Sequence, residues 1–307
     1  MRKVIIWGMG YDYEKILNAI NFEICKGNIQ VQAVVCKKED KFCSKRDGFS
    51  VVVKEDLKQI DFDYIIITSS KYFKDIKLEA LELGIDSRKI LNGEIFNIPL
   101  FDFERYAKLI EKPVTILSDD CWGGFVYHQL GLEFSSPLIN IWWKRDEFGK
   151  FMQEPLYYMN TELTMEREGC IAKLEYPIGR LGTNGKYVYL CFVHDLSFNE
   201  AKIKWDRRVK RINKDNLFIK CAPNLRMTKL EQDLYIEEYV KLKNKKVLFY
   251  YNEDVHVIGQ VCDKRFAYQN NYVPSPSYDY GSYMLGNYHY CIDILKLLNG
   301  ESDYLRY

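Results

Sequence analysis

Lys3-Val4-Ile5-Ile6-Trp7-Gly8-Met9-Gly10 sets an apolar strand directly against a pair of glycines, and the residues that follow decide the fold class. A helix is expected from Asp12 to about Cys25, with Ile16, Leu17 and Ile20 as its buried stripe. Ile29 to Cys36 reads as a second strand, and Ser50 to Val53 as a candidate third. Asp63 to Thr68 is almost continuously apolar, the pattern of a strand covered on both faces. Ser69-Ser70 ends it, a helix follows from about Phe73 to Leu83, and Gly84 supplies a C-cap. Ile90-Leu91 is the last short strand. Strands alternating with helices at this spacing build βαβ units and a mostly parallel sheet. The reading is α/β: a small Rossmann-like parallel-sheet domain at 1–99, then a larger α/β domain at 100–307.

The glycine pair is the start of a dinucleotide fingerprint. Its first glycine permits a tight turn, and its second lets a diphosphate approach backbone N–H groups at a helix end. The third fingerprint position is Tyr13, whose bulk is expected to hold helix and sheet apart or to block a phosphate. Cys36, Lys37 and Lys38 close the second strand, and Glu39, the nearest acid, is not cleanly placed for a ribose. A conventional dehydrogenase is rejected. Two readings stay open: a nucleotide or nucleotide-sugar site at Gly8, Gly10 and Tyr11, or a scaffold that keeps only the glycine turn.

The chain's 307 residues suit two domains, and 47% apolar with 28% charged residues is ordinary for a globular protein. A formal net charge of +1 argues against a dedicated nucleic-acid binder. No apolar run approaches ~18 residues, so no transmembrane helix is expected. The amino terminus enters a strand at once and lacks the features of a signal peptide. Nine cysteines, mostly in apolar stretches and with no CxxC spacing, read as reduced thiols of a cytoplasmic protein. The 24 Tyr and 5 Trp concentrate behind residue 120, where they can line a sugar pocket or simply fill an aromatic core.

Phe101 to Ile110 reads as a connecting helix, and Val114 to Leu117 as the strand that opens the second domain. That strand delivers Ser118, Asp119, Asp120, Cys121 and Trp122 to its carboxyl end, where open α/β sheets bind ligands. Asp119 and Asp120 are candidates for a general base or for holding a divalent cation. Cys121 is a nucleophile only with a lowered pKa. Trp122 is expected to stack on a ring, and Gly123 and Gly124 to allow close backbone approach. His128 returns to the same face if a helix starts after Gly124. Against this stands the reading that adjacent aspartates cap a helix and tie up a turn.

Further along, Tyr176 to Gly182 reads as turn-rich, with Arg180 a candidate phosphate ligand, and His194 as an acid–base candidate after the strand Tyr187 to Val193. Ser197 and Thr228 each precede an acid by three residues, the signature of a capping box. The helix Ala201 to Ile212 presents Ile203 or Ala201, then Trp205, Val209 and Ile212, to the core. It also carries Arg207, which meets either a pyrophosphate or water. Val247 to Tyr251 is a strand, followed by the polar residues Glu253, Asp254 and His256. Asn270 to Tyr290 reads as a long loop or cap.

Ile116-Leu117-Ser118-Asp119-Asp120-Cys121-Trp122-Gly123-Gly124 and Gly131-Leu132-Glu133-Phe134-Ser135-Ser136-Pro137 resemble a bacterial family, domain of unknown function 1919, associated with exopolysaccharide biosynthesis. Tyr176-Pro177-Ile178-Gly179, the basic stretch Lys204 to Asn213 and Asn216-Leu217-Phe218 resemble it too. The front domain resembles Rossmann-like modules of surface-carbohydrate enzymes, chiefly over Asp63 to Leu91. The family usually shows asparagines before Cys-Trp-Gly-Gly, where this chain has Asp119 and Asp120. Acids there strengthen a metal site and weaken an amide-donor site. The resemblance implies a role in surface polysaccharide synthesis: a transferase acting on an activated sugar, or a non-catalytic binder of nucleotide-sugar or glycan. A structural partner of the assembly enzymes is the third reading.

Overall fold

A computed structural model describes residues 1–37, 44–143, 147–168, 176–223, 227–250, 252–262 and 291–306. The chain divides into two compact units, Met1–Glu111 and Lys112–Tyr307. Glu39 and the Asn270 to Tyr290 stretch lie outside the described residues.

The first unit runs β1 (Arg2–Trp7), α1 (Tyr11–Cys25), β2 (Ile29–Cys36), β3 (Lys45–Arg46), β4 (Phe49–Val53), β5 (Tyr64–Ile67), α2 (Phe73–Glu82), β6 (Ile90–Asn92) and α3 (Phe103–Glu111). Its six strands lie in the order β3-β4-β2-β1-β5-β6. β3 is antiparallel to β4 and the other pairings are parallel, so the sheet is mixed. Val4, Ile5, Ile6 and the whole of β5 are buried, as their unbroken apolar run requires. Glu23 is also buried, and it ties α1 to α3 by accepting from the Phe103 N–H at 2.9 Å.

Tyr13, at the third fingerprint position, points into the core of the unit. Its ring is fully buried and its hydroxyl donates to Asp47 Oδ2 at 2.9 Å. Of the two glycines, Gly8 is the one that a side chain could not replace without strain. Gly8 has φ +116°, and a Cβ there would stand 2.5 Å from Thr68 Oγ1.

The second unit contains two four-stranded sheets. The parallel one has β7 (Thr115–Ser118), β12 (Leu217–Cys221), β13 (Lys245–Phe249) and β14 (Gln260–Val261) in the order β14-β13-β12-β7. The antiparallel one has β8 (Trp142–Trp143), β9 (Thr164–Arg167), β10 (Ile178–Thr183) and β11 (Lys186–Cys191) in the order β8-β11-β10-β9. Around them pack α4 (Trp122–Gln129), α5 (Glu147–Gln153), α6 (Pro155–Met159), α7 (Phe198–Val209), α8 (Lys229–Lys241) and α9 (Ile294–Asn299). One aromatic-rich core joins the sheets, with Leu117, Ile219 and Leu248 from the parallel sheet and Trp143, Leu181 and Leu190 from the other.

Tyr176 to Gly182 is therefore mostly strand, not turn. Glycine there serves packing: a Cβ on Gly179 would stand 2.6 Å from Leu163 and 2.8 Å from Phe192. The caps form as the sequence implies. Ser197 Oγ accepts from Glu200 N–H, and Thr228 with Glu231 closes a reciprocal box. Of the two options on α7, Ala201 faces the core and Ile203 faces water.

Among the described residues, β7 is at the edge of its sheet. The Tyr127 hydroxyl accepts from Ile116 N–H at 2.9 Å and donates to Val114 O at 2.6 Å, while Ser135 Oγ also donates to Val114 O at 2.7 Å. Side-chain hydroxyls satisfy these backbone groups where no described strand does.

Candidate functional site

Two strand ends carry the groups singled out in the sequence, one in each unit. In the second unit, parallel register sets Lys220 of β12 beside Ser118 of β7. The Lys220 ammonium, 0% exposed, lies 2.9 Å from Asp119 Oδ1 and 2.5 Å from Asp120 Oδ2. Asp119 Oδ2 accepts from Ala222 N–H at 2.5 Å and from the Tyr235 hydroxyl at 2.9 Å. Asp120 Oδ1 accepts from Trp122 N–H at 2.9 Å. All four carboxylate oxygens are thus engaged within the protein, with the side chains 10% and 16% exposed.

Burial pushes the Asp119 carboxyl up to about 6, against the pull of Lys220 and with the push of Asp120. Burial disfavours the Lys220 ammonium, but the two carboxylates outweigh it and hold its pKa above the ordinary value. Lys220 is the residue that motif reading overlooks. Its signal is one lysine inside Leu217-Phe218-Ile219-Lys220-Cys221, all of it buried. Tyr235, buried on α8, was equally out of view.

Several expectations for this loop change. α4 begins at Trp122, so Gly123 and Gly124 are helical and not a flexible cradle. A Cβ on Gly123 would stand 2.9 Å from Ser118 Oγ and 3.1 Å from Ile116, so glycine lets the helix lie close to β7. Trp122 is sealed in the core against Phe218 and Phe249 and offers no ring platform. Ser118 Oγ donates to Asp120 O at 2.7 Å and accepts from Gly123 N–H at 3.2 Å, which shapes the turn. Burial first, then the Asp120 charge, pushes the Cys121 thiol up, the wrong direction for a nucleophile. His128 lies in the last turn of α4, at the far end of the helix from Asp119.

The remaining candidates are dispersed. His194 is exposed after β11, and no hydrogen bond or ion pair joins it to either aspartate. Arg180 packs over the Tyr187 ring at 4.8 Å and lies 3.6 Å from Glu166. Arg207 is exposed on α7. Glu253, Asp254 and His256 are exposed as well. Among the described residues, no group of three or more His, Cys, Asp or Glu side chains is arranged to hold a metal ion.

In the first unit, a cleft of about 1030 Å³ opens at the carboxyl ends of β1, β2, β4 and β5. Gly8, Gly10 and Tyr11 line it, as do Lys37, Lys71 and Tyr72. Tyr13 is not part of its lining. Gly10 is the N-cap of α1, in extended conformation and with no side-chain cap. A Cβ on Gly10 would meet nothing within 4 Å. Lys54, also on the wall, is neutralised by Glu79 at 2.5 Å.

A family model described as "Domain of unknown function (DUF1919)" matches residues 92–299. A second, described as "C2185-like, N-terminal", matches residues 1–91. An "Uncharacterized protein" of Haemophilus influenzae is 30% identical over 140 residues, 46% of this chain and 63% of that protein's length. The match therefore spans less than two thirds of that relative. No described helix is long and apolar enough to cross a membrane.

Proposed function

We propose that this chain, which belongs to the DUF1919 family, binds an activated sugar in the cleft of its first unit, in the service of surface-polysaccharide assembly. One observation carries the binding: a cleft of about 1030 Å³ at the carboxyl ends of parallel strands, edged by Gly8 and Gly10. That volume is at the upper end of small-molecule sites, about 300–1,000 Å³. The uncapped first turn of α1 leaves N–H groups for a diphosphate, and Gly10 leaves room for its approach. Lys37 and Lys71 stand on the wall together with Asp12 and Glu55, and the exposed rings of Tyr11 and Tyr72 offer surfaces for a base or sugar. The unit then works as a Rossmann-like nucleotide module. The pathway rests on the family resemblance.

A thermal-shift panel of nucleoside-diphosphate sugars and their parent nucleotides, with and without Mg²⁺ or Mn²⁺, tests this. A specific ligand at 100 times its Kd stabilises by about 2.7 kcal/mol. A panel with no response sinks the proposal.

A second reading, sugar transfer with Asp119 as general base, is favoured by the rise of that carboxyl to about 6. It requires the Asp119 bonds to Ala222 and Tyr235 to exchange for an acceptor hydroxyl. Its test is nucleotide release from the bound donor. Release that persists undiminished in Asp119→Asn removes the reading.

A further inference from the structure

The basic stretch along α7 is used by neither turn. Between Lys202 and Asp215 stand seven Lys and Arg against two acids, in a chain whose formal net charge is +1, so the rest of the chain is net acidic. Four of these cations have partners. Lys202 lies 3.4 Å from Glu162 and 3.5 Å from Asp206, and Lys204 lies 2.7 Å from Asp195 and 2.5 Å from Glu200. Arg208 donates to Ile139 O at 3.1 Å, and Arg211 reaches Glu133 at 2.8 Å. Arg207, Lys210 and Lys214 are exposed and make no ion pair or side-chain hydrogen bond among the described residues. Exposed Asp215, next to Lys214 in the chain, offsets one of those three charges.

The free charges share a face with apolar side chains. Phe198, Ala201 and Trp205 turn α7 into the core. That leaves Ile203, Arg207 and Lys210, at i, i+4 and i+7, along its outer side. Ile203 is 60% exposed there, and Leu196, in the turn before the helix, is 70% exposed. A single cation suits the carboxyl end of a helix dipole. Five cations between positions 207 and 214 crowd one another. Burial lowers the Arg208 pKa from its ordinary value and Asp195 opposes the fall, while Arg207 and Arg211 add to it. A surface dense in negative charge relieves such crowding. A nucleic acid would meet the cations and leave Ile203 and Leu196 in water. A bilayer of anionic lipid takes both, with phosphates against Arg and Lys and the acyl boundary against the apolar side chains.

We infer that the outer face of α7 docks on an anionic lipid bilayer, with Arg207, Lys210 and Lys214 against headgroup phosphates and Ile203 and Leu196 at the acyl boundary. The docking does not rest on the nucleotide reading of the first unit and stands if that reading fails.

Co-sedimentation of the full chain with vesicles tests it, using phosphatidylglycerol and phosphatidylcholine in equal parts against phosphatidylcholine alone. The chain is expected to sediment with the anionic vesicles only, and salt is expected to release it by screening. Arg207→Gln, Lys210→Gln and Lys214→Gln alter exposed side chains without partners, so each retains the fold. Each is expected to weaken partitioning about fivefold, and the triple variant to abolish it. Ile203→Ser, on the same exposed face, is expected to weaken it about tenfold with the salt dependence kept. The inference is overturned if the anionic vesicles leave the chain in solution, if the triple variant still sediments with them, or if Ile203→Ser binds as wild type does. It is also overturned if duplex DNA binds the chain more tightly than the vesicles do, which marks a nucleic-acid face.

Discussion

After β1 the chain turns through Gly8 and Gly10 into α1 with no side-chain cap, and a cleft stays open beside the turn. After β7 it turns through Asp119 and Asp120 into α4, and Lys220, Ala222 and Trp122 engage every carboxylate oxygen. Both turns stand at the carboxyl ends of parallel strands, where α/β folds bind ligands. Position alone does not separate them; what remains unbonded does. The glycine turn has backbone to offer, while the acidic turn has already closed on a lysine of the neighbouring strand.

The contrast breaks most visibly at Lys220. Lys220→Met leaves two buried carboxylates facing each other and should destabilise by about 3–5 kcal/mol. Adding Asp119→Asn and Asp120→Asn to it should recover much of that loss in chemical denaturation. If Lys220→Met alone is neutral, the cluster is not a staple. Gly8→Ala comes next. It forces a side chain into a left-handed backbone and onto Thr68 Oγ1, which should cost about 1–3 kcal/mol in the unfolding of the first unit.

The pH dependence is of similar size. The Asp119 carboxyl rises from its ordinary 3.8 to about 6 on folding. The folded state therefore holds this proton more tightly. The stabilisation is full below about pH 4 and is lost as pH rises through about 6. Wild type minus Asp119→Asn should show stability falling by up to about 3 kcal/mol across that window. A flat difference curve would contradict the burial argument. Gly10→Ser has the smallest effect on stability. Serine at an extended N-cap should gain a few tenths of a kcal/mol by bonding the first-turn N–H groups. The same bonds should weaken nucleotide binding about tenfold, so a variant that is more stable and binds equally well would contradict the cleft reading.

The first sheet was largely legible because its central strands carry apolar runs, Val4 to Trp7, Ala33 to Val35 and Tyr64 to Ile67. Ile29–Cys36 appears in the structure with the bounds its sequence implies. The second unit was legible only in pieces. Its antiparallel sheet hides in a two-residue strand at Trp142, an exposed strand at Thr164 and a glycine-bearing strand at Ile178, none with clear alternation. At the acidic turn, the sequence found Asp119 and Asp120 but not their partner. Lys220 lies 101 residues from Asp119, and only the parallel register brings them together. Motif reading also took Gly123 and Gly124 for flexibility. Their need for a missing Cβ depends on Ser118, Ile116 and Ile139, contacts that no local pattern reveals.

Tyr127 and Ser135 bear on how the chain behaves in a crowd of its own copies. An edge strand with bare N–H and C=O groups is a template on which another chain can add a strand and begin a fibril. On β7 the outward Ile116 N–H and the Val114 carbonyl just before the strand are already held by hydroxyls of the same unit. An incoming peptide would have to displace those bonds before making its own, and the border of the sheet is guarded against self-templated growth without a charge or a proline on the strand itself.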